Sequence, residues 1–392
     1  MKLFEKAKHT IETTITKQET ETVKLLDSLN KVLREDIIAD INMPPFNKSA
    51  MDGYACRKKD LGNVMDVIEI IQAGRPPLKT IGKNQCSKIM TGAMMPQGAN
   101  CVFMVEDAVI TEEKSVKCSN QKTKENICFQ GEDYQAGDIL IKKGAVISPA
   151  HIGIMAGAGY SEITVSKTPS ISIIATGTEL VEPDQKPLPG QIRNSNSHQL
   201  RAQLQAMGIP CNYTGIIADD LEEIANGFEK SLAANDIVLV TGGASVGDFD
   251  FVPTLLKNQG FDLLVEKTGL QPGNPMTFSK KGKKYCFGLS GNPVSSLVQF
   301  ELFVKPFIYK LMGCQDPSVR IKGELTWDFH RAKAARFGII PVKLLGENRI
   351  EPVNFHGSAH INALAYANAL MEVPEGLSRI KKGETVNVQL LF

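Results

Sequence analysis

IVLVTGGASVGDFD, residues 237–250, runs from an unbroken apolar stretch into a turn of glycine, serine and aspartate. An apolar run without alternation, Ile237 to Val240, suits a strand buried on both faces, as in a parallel sheet covered by helices. Three other runs share the pattern: Ile171 to Ala175, Tyr213 to Ile217 and Tyr285 to Leu289. Each leads into a polar or glycine-bearing loop, ATGTEL (175–180), IIADD (216–220) and LSGNPVSS (289–296), as the first leads into VTGGASVGDFD (240–250). Helix-like stretches separate them. These are His198 to Met207, stopped by Gly208; Leu221 to Leu232, capped by Asp219 or Asp220; and Val294 to Leu311, beginning after Pro293. Lys167 to about Gly313 is therefore expected to be a doubly wound α/β domain.

Outward from this domain the pattern changes. Val23 to Arg34 reads as an amphipathic helix, ended by the proline-led INMPPFNKSAMDGYA (41–55). The stretch to about Gly131 alternates short β-like runs, such as Val67 to Ile71 and Val102 to Val105, with turns. It predicts a β-rich insertion connected by short hairpins. Asp133 to Val165 carries the turns GEDYQAGD and KKGAVISP, then a helix-like HIGIMAGAGY that would return the chain to the first helix. After Pro317 short strands recur and end in Thr385 to Leu391, predicting a compact C-terminal β domain. The lysine run SKKGKK (279–284) reads as the solvated tip of a hairpin.

At 392 residues the chain exceeds a single core, so two to four domains are expected. Its 42% apolar and 22% charged residues are ordinary for a globular protein. A net charge of +1 gathers neither nucleic acid nor an anionic membrane, so any anion must be bound by local geometry. The polar opening MKLFEKAKHT and the lack of a run of about 18 apolar residues make a cytoplasmic location the expectation. Eight cysteines form no Cys-x-x-Cys pair, and six scattered histidines suggest neither a zinc site nor a His-based triad. Walker A, Gly-x-Ser-x-Gly and Gly-x-Gly-x-x-Gly signatures are absent.

In an open parallel sheet, ligands bind outside the carboxyl ends of the strands, where the four loops converge. Gly, Ser and Thr in those loops let backbone N–H groups approach an anion, and a helix N-terminus after LSGNP favours phosphate. Thr176, Gly242, Gly243, Ser245, Gly247, Ser290, Gly291, Asn292 and Pro293 are the candidate substrate-binding positions. The same loops bring Glu179, Asp219, Asp220, Asp248 and Asp250. Carboxylates beside a phosphate repel it unless a divalent cation lies between them, which implies Mg2+. Taken alone, Asp219 or Asp220 equally suits a helix cap and Asp248 a turn, whereas Glu179 and Asp250 follow glycine-bearing turns at strand ends.

TGGASVGDFD, LSGNPVSS and ATGTEL together resemble the molybdopterin-binding domain shared by the MogA and MoeA families. PPFNKSAMDGYA (44–55), KIMTGAMMPQGANCVFMVED (88–107), GEDYQAGD (131–138) and SAHINALAYAN (358–368) resemble MoeA proteins, whose N-terminal half the short MogA type lacks. The chain also resembles the E domain of gephyrin. The resemblance implies a MogA-like doubly wound α/β domain, a β-rich inserted domain, a mixed linker domain and a C-terminal β domain. Their expected bounds are 167–315, 43–131, 1–42 with 132–166, and 316–392. It also implies an elongated homodimer with the site shared between subunits, and a transient MogA-type partner.

Carried over residue by residue, the resemblance assigns catalytic roles to Asp52, Thr91, Asp133, Glu179, Asp219 and Asp250, with Glu179 and Asp250 holding magnesium. It places molybdate on Lys267, Ser295, Arg336 and Ser358, whose charges and hydroxyls suit a tetrahedral dianion. The reaction it implies is insertion of molybdate into molybdopterin, with hydrolysis of adenylyl-molybdopterin and release of AMP. One departure stands out. The family's usual Lys-Pro-Gly-Lys-Pro reads Gln271-Pro-Gly-Asn274-Pro here, replacing two cations by neutral amides. The competing readings are a MogA-like adenylyltransferase, which needs ATP, and a non-catalytic scaffold.

Overall fold

The computed structural model describes residues 1–16, 18–242 and 251–391. Two compact units result: Met1–Glu35 with Lys143–Ile152 and Glu162–Phe392, and Asp36–Lys142 with Gly153–Ser161.

In the larger unit the four apolar runs become parallel strands of one six-stranded sheet. We number its strands β1 (Ile171–Thr176), β2 (Cys211–Ile217), β3 (Ile237–Thr241), β4 (Asp262–Lys267), β5 (Pro275–Lys281) and β6 (Lys284–Leu289). Their spatial order is β2-β1-β3-β6-β5-β4, with β5 antiparallel to both neighbours. Period-two alternation distributes each central strand between two cores. Ile171, Ile173, Ile237, Leu239 and Phe287 face the helix Asn196–Ala206 and the long helical run from Pro293 to Leu311. Ile174, Val238, Val240 and Cys286 face the helices Leu221–Ala234 and Phe251–Asn258. Asp220 caps the Leu221–Ala234 helix, its carboxylate accepting from the N–H groups of Glu222 and Glu223 at 3.0 Å each. The Pro293–Leu311 run is interrupted by a π-helical segment, Phe300–Val304.

The lysine run does close a hairpin. Lys281 pairs with Lys284 across a turn containing Gly282 at φ 60°. Lys280, Lys281 and Lys284 donate to the carbonyls of Thr14, Gln259 and Asn235.

The C-terminal strands are β7 (Arg320–Leu325), β8 (Phe337–Leu344), β9 (Arg349–Pro352), β10 (Ala369–Val373) and β11 (Thr385–Leu390). They pair in the order β8-β9-β7-β11-β10, and β10 pairs back to β8. That pairing closes a small barrel around Leu325, Val342, Ile350, Met371 and Val388, and closure leaves no free strand edge among the five. Leu270–Gln271 extends from the α/β domain and pairs parallel with Phe337–Gly338 of β8.

Three expectations are corrected. Val23–Arg34 is not a helix: Thr20–Lys24 is a strand paired with Glu162–Ser166, and Leu25–Ser28 makes only a 3-10 turn. Asn30 at φ 64° breaks any helical path, and Val32 and Leu33 are wholly buried in bridges to Val146 and Val165. Tertiary pairing has overridden the helical spacing. Accordingly HIGIMAGAGY, whose helix spans Pro149–Gly157, leads back to that strand rather than to a helix. An N-terminal helix does exist earlier, at Leu3–Thr13, and buries Phe4, Ala7 and Ile11 in the α/β core.

The smaller unit contains a six-stranded sheet in the order Cys101–Met104, Gly53–Cys56, Gln85–Ile89, Val64–Ile71, Ser115–Cys118 and Ala108–Glu112. Short hairpins do not connect most of it. Val64–Ile71 and Gln85–Ile89 run parallel, which a tight hairpin cannot achieve.

Candidate active site

A cleft of about 850 Å³ opens at the carboxyl ends of β1, β3 and β6. Chain order reverses direction between β1 and β3, so the cleft lies at the topological switch point where open sheets bind ligands.

Its floor depends on close backbone approach. Gly242 sits at φ 96°, and a Cβ there would lie 2.2 Å from the carbonyl oxygen of Thr176. Only glycine fits, for steric and conformational reasons together. Thr176 lines the cleft, and its buried hydroxyl has no hydrogen-bond partner among the described residues. Ser290, Gly291 and Asn292 form the turn after β6, where the Ser290 hydroxyl accepts from the Asn292 N–H at 3.2 Å. Pro293 follows as the first residue of the helix. The turn is held from beneath by Asn196, whose buried side-chain amide donates to the carbonyls of Ser290 (3.3 Å) and Gly291 (2.9 Å).

The carboxylates lie on the rim. Glu179 and Asp219 both line the cleft and are solvent-exposed. Asp219 accepts from the Thr178 N–H at 3.3 Å, and the Thr178 hydroxyl accepts from the Asp219 N–H at 3.2 Å, so the loops after β1 and β2 brace each other. Glu179 folds back over Gly177, its Oε2 lying 2.7 Å from where a Cβ on that glycine would stand. Asp220 is the helix cap described above. Asp248 and Asp250 lie outside the described residues, as do Gly243, Ser245 and Gly247.

The Gln271–Pro275 loop and the barrel-domain residues Arg336 and Ser358 also line the cleft, as does Ser295 in the first turn of the helix that Pro293 begins. The Ser358 carbonyl accepts from the Val294 N–H at 3.0 Å, which seats the barrel loop on the start of the helix. Lys267 is not among the lining residues. It is exposed at the end of β4, in register with Pro275, which does line the cleft. Gln271 and Asn274 line the cleft where cations were expected. The Asn274 side-chain carbonyl is committed to the Gly269 N–H at 3.1 Å, so this amide shapes its own loop. Arg331, which sequence reasoning missed, donates to the carbonyls of Pro374, Leu377 and Arg336 at 2.7, 2.8 and 3.0 Å. Burial lowers its pKa from the ordinary arginine value, and its guanidinium fixes the backbone that carries Arg336.

Each part of the chain has relatives. Residues 3–159 match the MoeA N-terminal region (domain I and II), 172–310 a probable molybdopterin binding domain, and 322–391 the MoeA C-terminal region (domain IV). The chain is 38% identical over 379 residues to the molybdopterin molybdenumtransferase of Staphylococcus epidermidis, covering 94% of this chain and 90% of that protein. The Staphylococcus aureus protein of the same name is 37% identical over 380 residues, with the same coverage. This chain belongs to the molybdopterin molybdenumtransferase family, the MoeA proteins. A crystal structure of the molybdopterin biosynthesis MoeA protein from Pyrococcus horikoshii superposes over 99% of both chains, with a TM-score of 0.84 at 29% identity.

The remaining residues that the MoeA resemblance singled out lie in the smaller unit. Asp52 and Thr91 are brought together: one Asp52 oxygen accepts the Thr91 N–H at 2.6 Å and its hydroxyl at 2.8 Å. These bonds, the backbone one first, hold the Asp52 carboxyl below the usual aspartate range. Asp133 is exposed and bonds neither of them; its N–H donates to the Met43 carbonyl at 3.0 Å.

Proposed function

We propose that the chain inserts molybdate into molybdopterin, taking the pterin as its adenylylated form and releasing AMP. One observation carries this: a single cleft is lined by a Ser-Gly-Asn turn at a helix start, by carboxylates on neighbouring loops, and by Arg336 with Ser295 and Ser358. The N–H groups of Ser290, Asn292 and Val294 are bonded within the protein, so the turn offers a phosphate the Gly291 N–H and the positive end of the helix. Arg336, Ser295 and Ser358 supply charge and hydroxyl donors to a tetrahedral oxyanion. Ile192, Leu270, Ile340 and Phe355 add an apolar lining against which a flat heterocycle can rest.

Magnesium fits the donor set. Glu179 and Asp219 are hard oxygen ligands, and among the described residues no histidine or cysteine lines the cleft beside them. Among the described residues no group of three or more His, Cys, Asp or Glu side chains is placed to hold a metal. One or two carboxylates completed by substrate oxygens is the arrangement magnesium favours. Glu179 and Asp250 are assigned to it, with Asp219 supporting; when bound, the ion neutralises phosphate charge. The protein's own part is to align the phosphate on the turn and to hold molybdate beside it.

The functional unit is proposed to be a cytoplasmic homodimer of four-domain subunits. In it, the Asp52, Thr91 and Asp133 face of one subunit completes the cleft of the other, and a MogA-type partner supplies substrate transiently. Among the described residues no helix is long and apolar enough to cross a membrane. The decisive experiment follows AMP release from adenylylated molybdopterin and magnesium, with and without molybdate. Molybdate-dependent release without ATP supports the reading. ATP consumption with unmodified molybdopterin would indicate an adenylyltransferase, and substrate binding without turnover a scaffold.

A further inference from the structure

Two loops that line the cleft meet at one buried side chain. Gln299 is wholly inaccessible to solvent. Its amide nitrogen donates to the carbonyls of Gly273 (2.9 Å) and Pro275 (2.6 Å), and its amide oxygen accepts from the Ser290 N–H (2.8 Å). Both donors and one acceptor position are therefore used, and all three partners belong to residues lining the cleft. The Gly273 carbonyl also accepts from the Thr268 hydroxyl at 2.7 Å, so this loop is anchored from two directions. Beyond Ser290, Asn196 holds the same turn by its carbonyls. The π-helical segment begins at the next residue, Phe300, and such segments are frequent at functional sites.

A buried amide with three bonds to two separate loops is more than filling, because an apolar residue of equal size would leave Ser290 N–H unpaired in the interior. We propose that Gln299 is a positioning residue that fixes the Gln271–Pro275 loop relative to the phosphate-binding turn. Through it, molybdate bound beside the turn is aligned with the adenylylated pterin, and AMP release is made to depend on molybdate. This inference rests on the function proposed above.

The test uses the full-length protein in the AMP-release assay, with molybdate titrated. Gln299→Met keeps the side-chain length and removes all three bonds. Thr268→Val, at a buried residue that does not line the cleft, loosens the same loop by removing the hydroxyl bond to the Gly273 carbonyl at nearly unchanged side-chain size. Both are expected to raise the KM for molybdate about tenfold, the loss anticipated for one or two buried hydrogen bonds. Their kcat at saturating molybdate should stay within about threefold of wild type, and the ratio of release with and without molybdate should fall. A purely structural role would lower the fraction of folded enzyme, hence kcat, and leave KM unchanged. If Gln299→Met does not fold, Thr268→Val decides. A molybdate-responsive wild type whose variants keep KM within about twofold overturns this inference alone. A wild type with no molybdate response overturns the functional reading beneath it.

Discussion

The cleft of the larger unit and the Asp52–Thr91 pair of the smaller one are built on opposite principles. In the cleft, glycine permits backbone approach, and buried amides at Asn196 and Gln299 hold the loops from beneath. The groups that would meet substrate are thus supported by others that are buried. The pair has no such support: Asp52 and Thr91 are both exposed, joined only by their own two bonds. A cleft so constructed should be sensitive to steric changes, and the exposed pair to protonation.

The largest effect should follow from Gly242→Ala. The new methyl group meets the Thr176 carbonyl oxygen at 2.2 Å in a backbone conformation with φ 96°, so the strand ends must separate. A loss of about 3 kcal/mol is expected from strain and clash combined, measurable by denaturant unfolding, together with loss of AMP release. An unchanged unfolding midpoint would show that the floor is not close-packed.

Arg336→Met comes next and tests the oxyanion site. Among the described residues Arg336 has no ion pair, while Arg331 is committed to carbonyls. Removing its charge should weaken molybdate binding by roughly ten- to a hundredfold, the range for charge-assisted hydrogen bonds. Calorimetric titration of the full chain with molybdate would read it, and the salt dependence of binding should shrink. Unaltered affinity would transfer the oxyanion to another part of the cleft.

Asp220→Ala separates the two adjacent aspartates. Asp220 caps a helix, while its neighbour Asp219 lines the cleft. Removing the cap should cost about 1 kcal/mol of stability and leave the KM for molybdate unchanged. A raised KM with unaltered stability would reverse the assignment.

These contrasts also explain what could be read from sequence. The parallel sheet was legible because Ile171–Thr176, Ile237–Thr241 and Lys284–Leu289 are nearly continuous apolar runs, and burial on both faces requires that. The strand-end candidates Thr176, Glu179, Asp219, Ser290 and Gly291 followed from the sheet, since its carboxyl ends converge wherever its strands do. Arg336 and Ser358 did not follow, because nothing local connects a barrel loop to a helix start; only the family resemblance named them. Arg331, Asn196 and Gln299 were missed for another reason: their partners are mostly main-chain carbonyls and N–H groups, which leave no pattern in side-chain identity. Leu3–Thr13 does carry helical spacing in Phe4, Ala7 and Ile11. The Val23–Arg34 stretch carries it too and is not helical, so spacing without knowledge of the pairing partner decides neither.

The smallest effect, and the one that isolates the exposed pair, is expected from Thr91→Ala. The Thr91 backbone N–H and hydroxyl both stabilise the ionised Asp52 carboxylate and hold its pKa below the ordinary aspartate value. A depressed folded-state pKa contributes stability above the unfolded value, and that contribution is lost as pH falls through the folded value. Replacing threonine removes the hydroxyl bond and leaves the backbone bond, so the Asp52 pKa should rise only part of the way back. A carboxyl-carbon NMR titration of Asp52 between about pH 2 and pH 6 would follow it, spanning the ordinary and depressed ranges. Stability at neutral pH should barely change, because the pair is exposed and solvent screens it. If the Asp52 pKa does not move, the backbone bond alone orders the carboxylate, and the hydroxyl of Thr91 is left available for substrate.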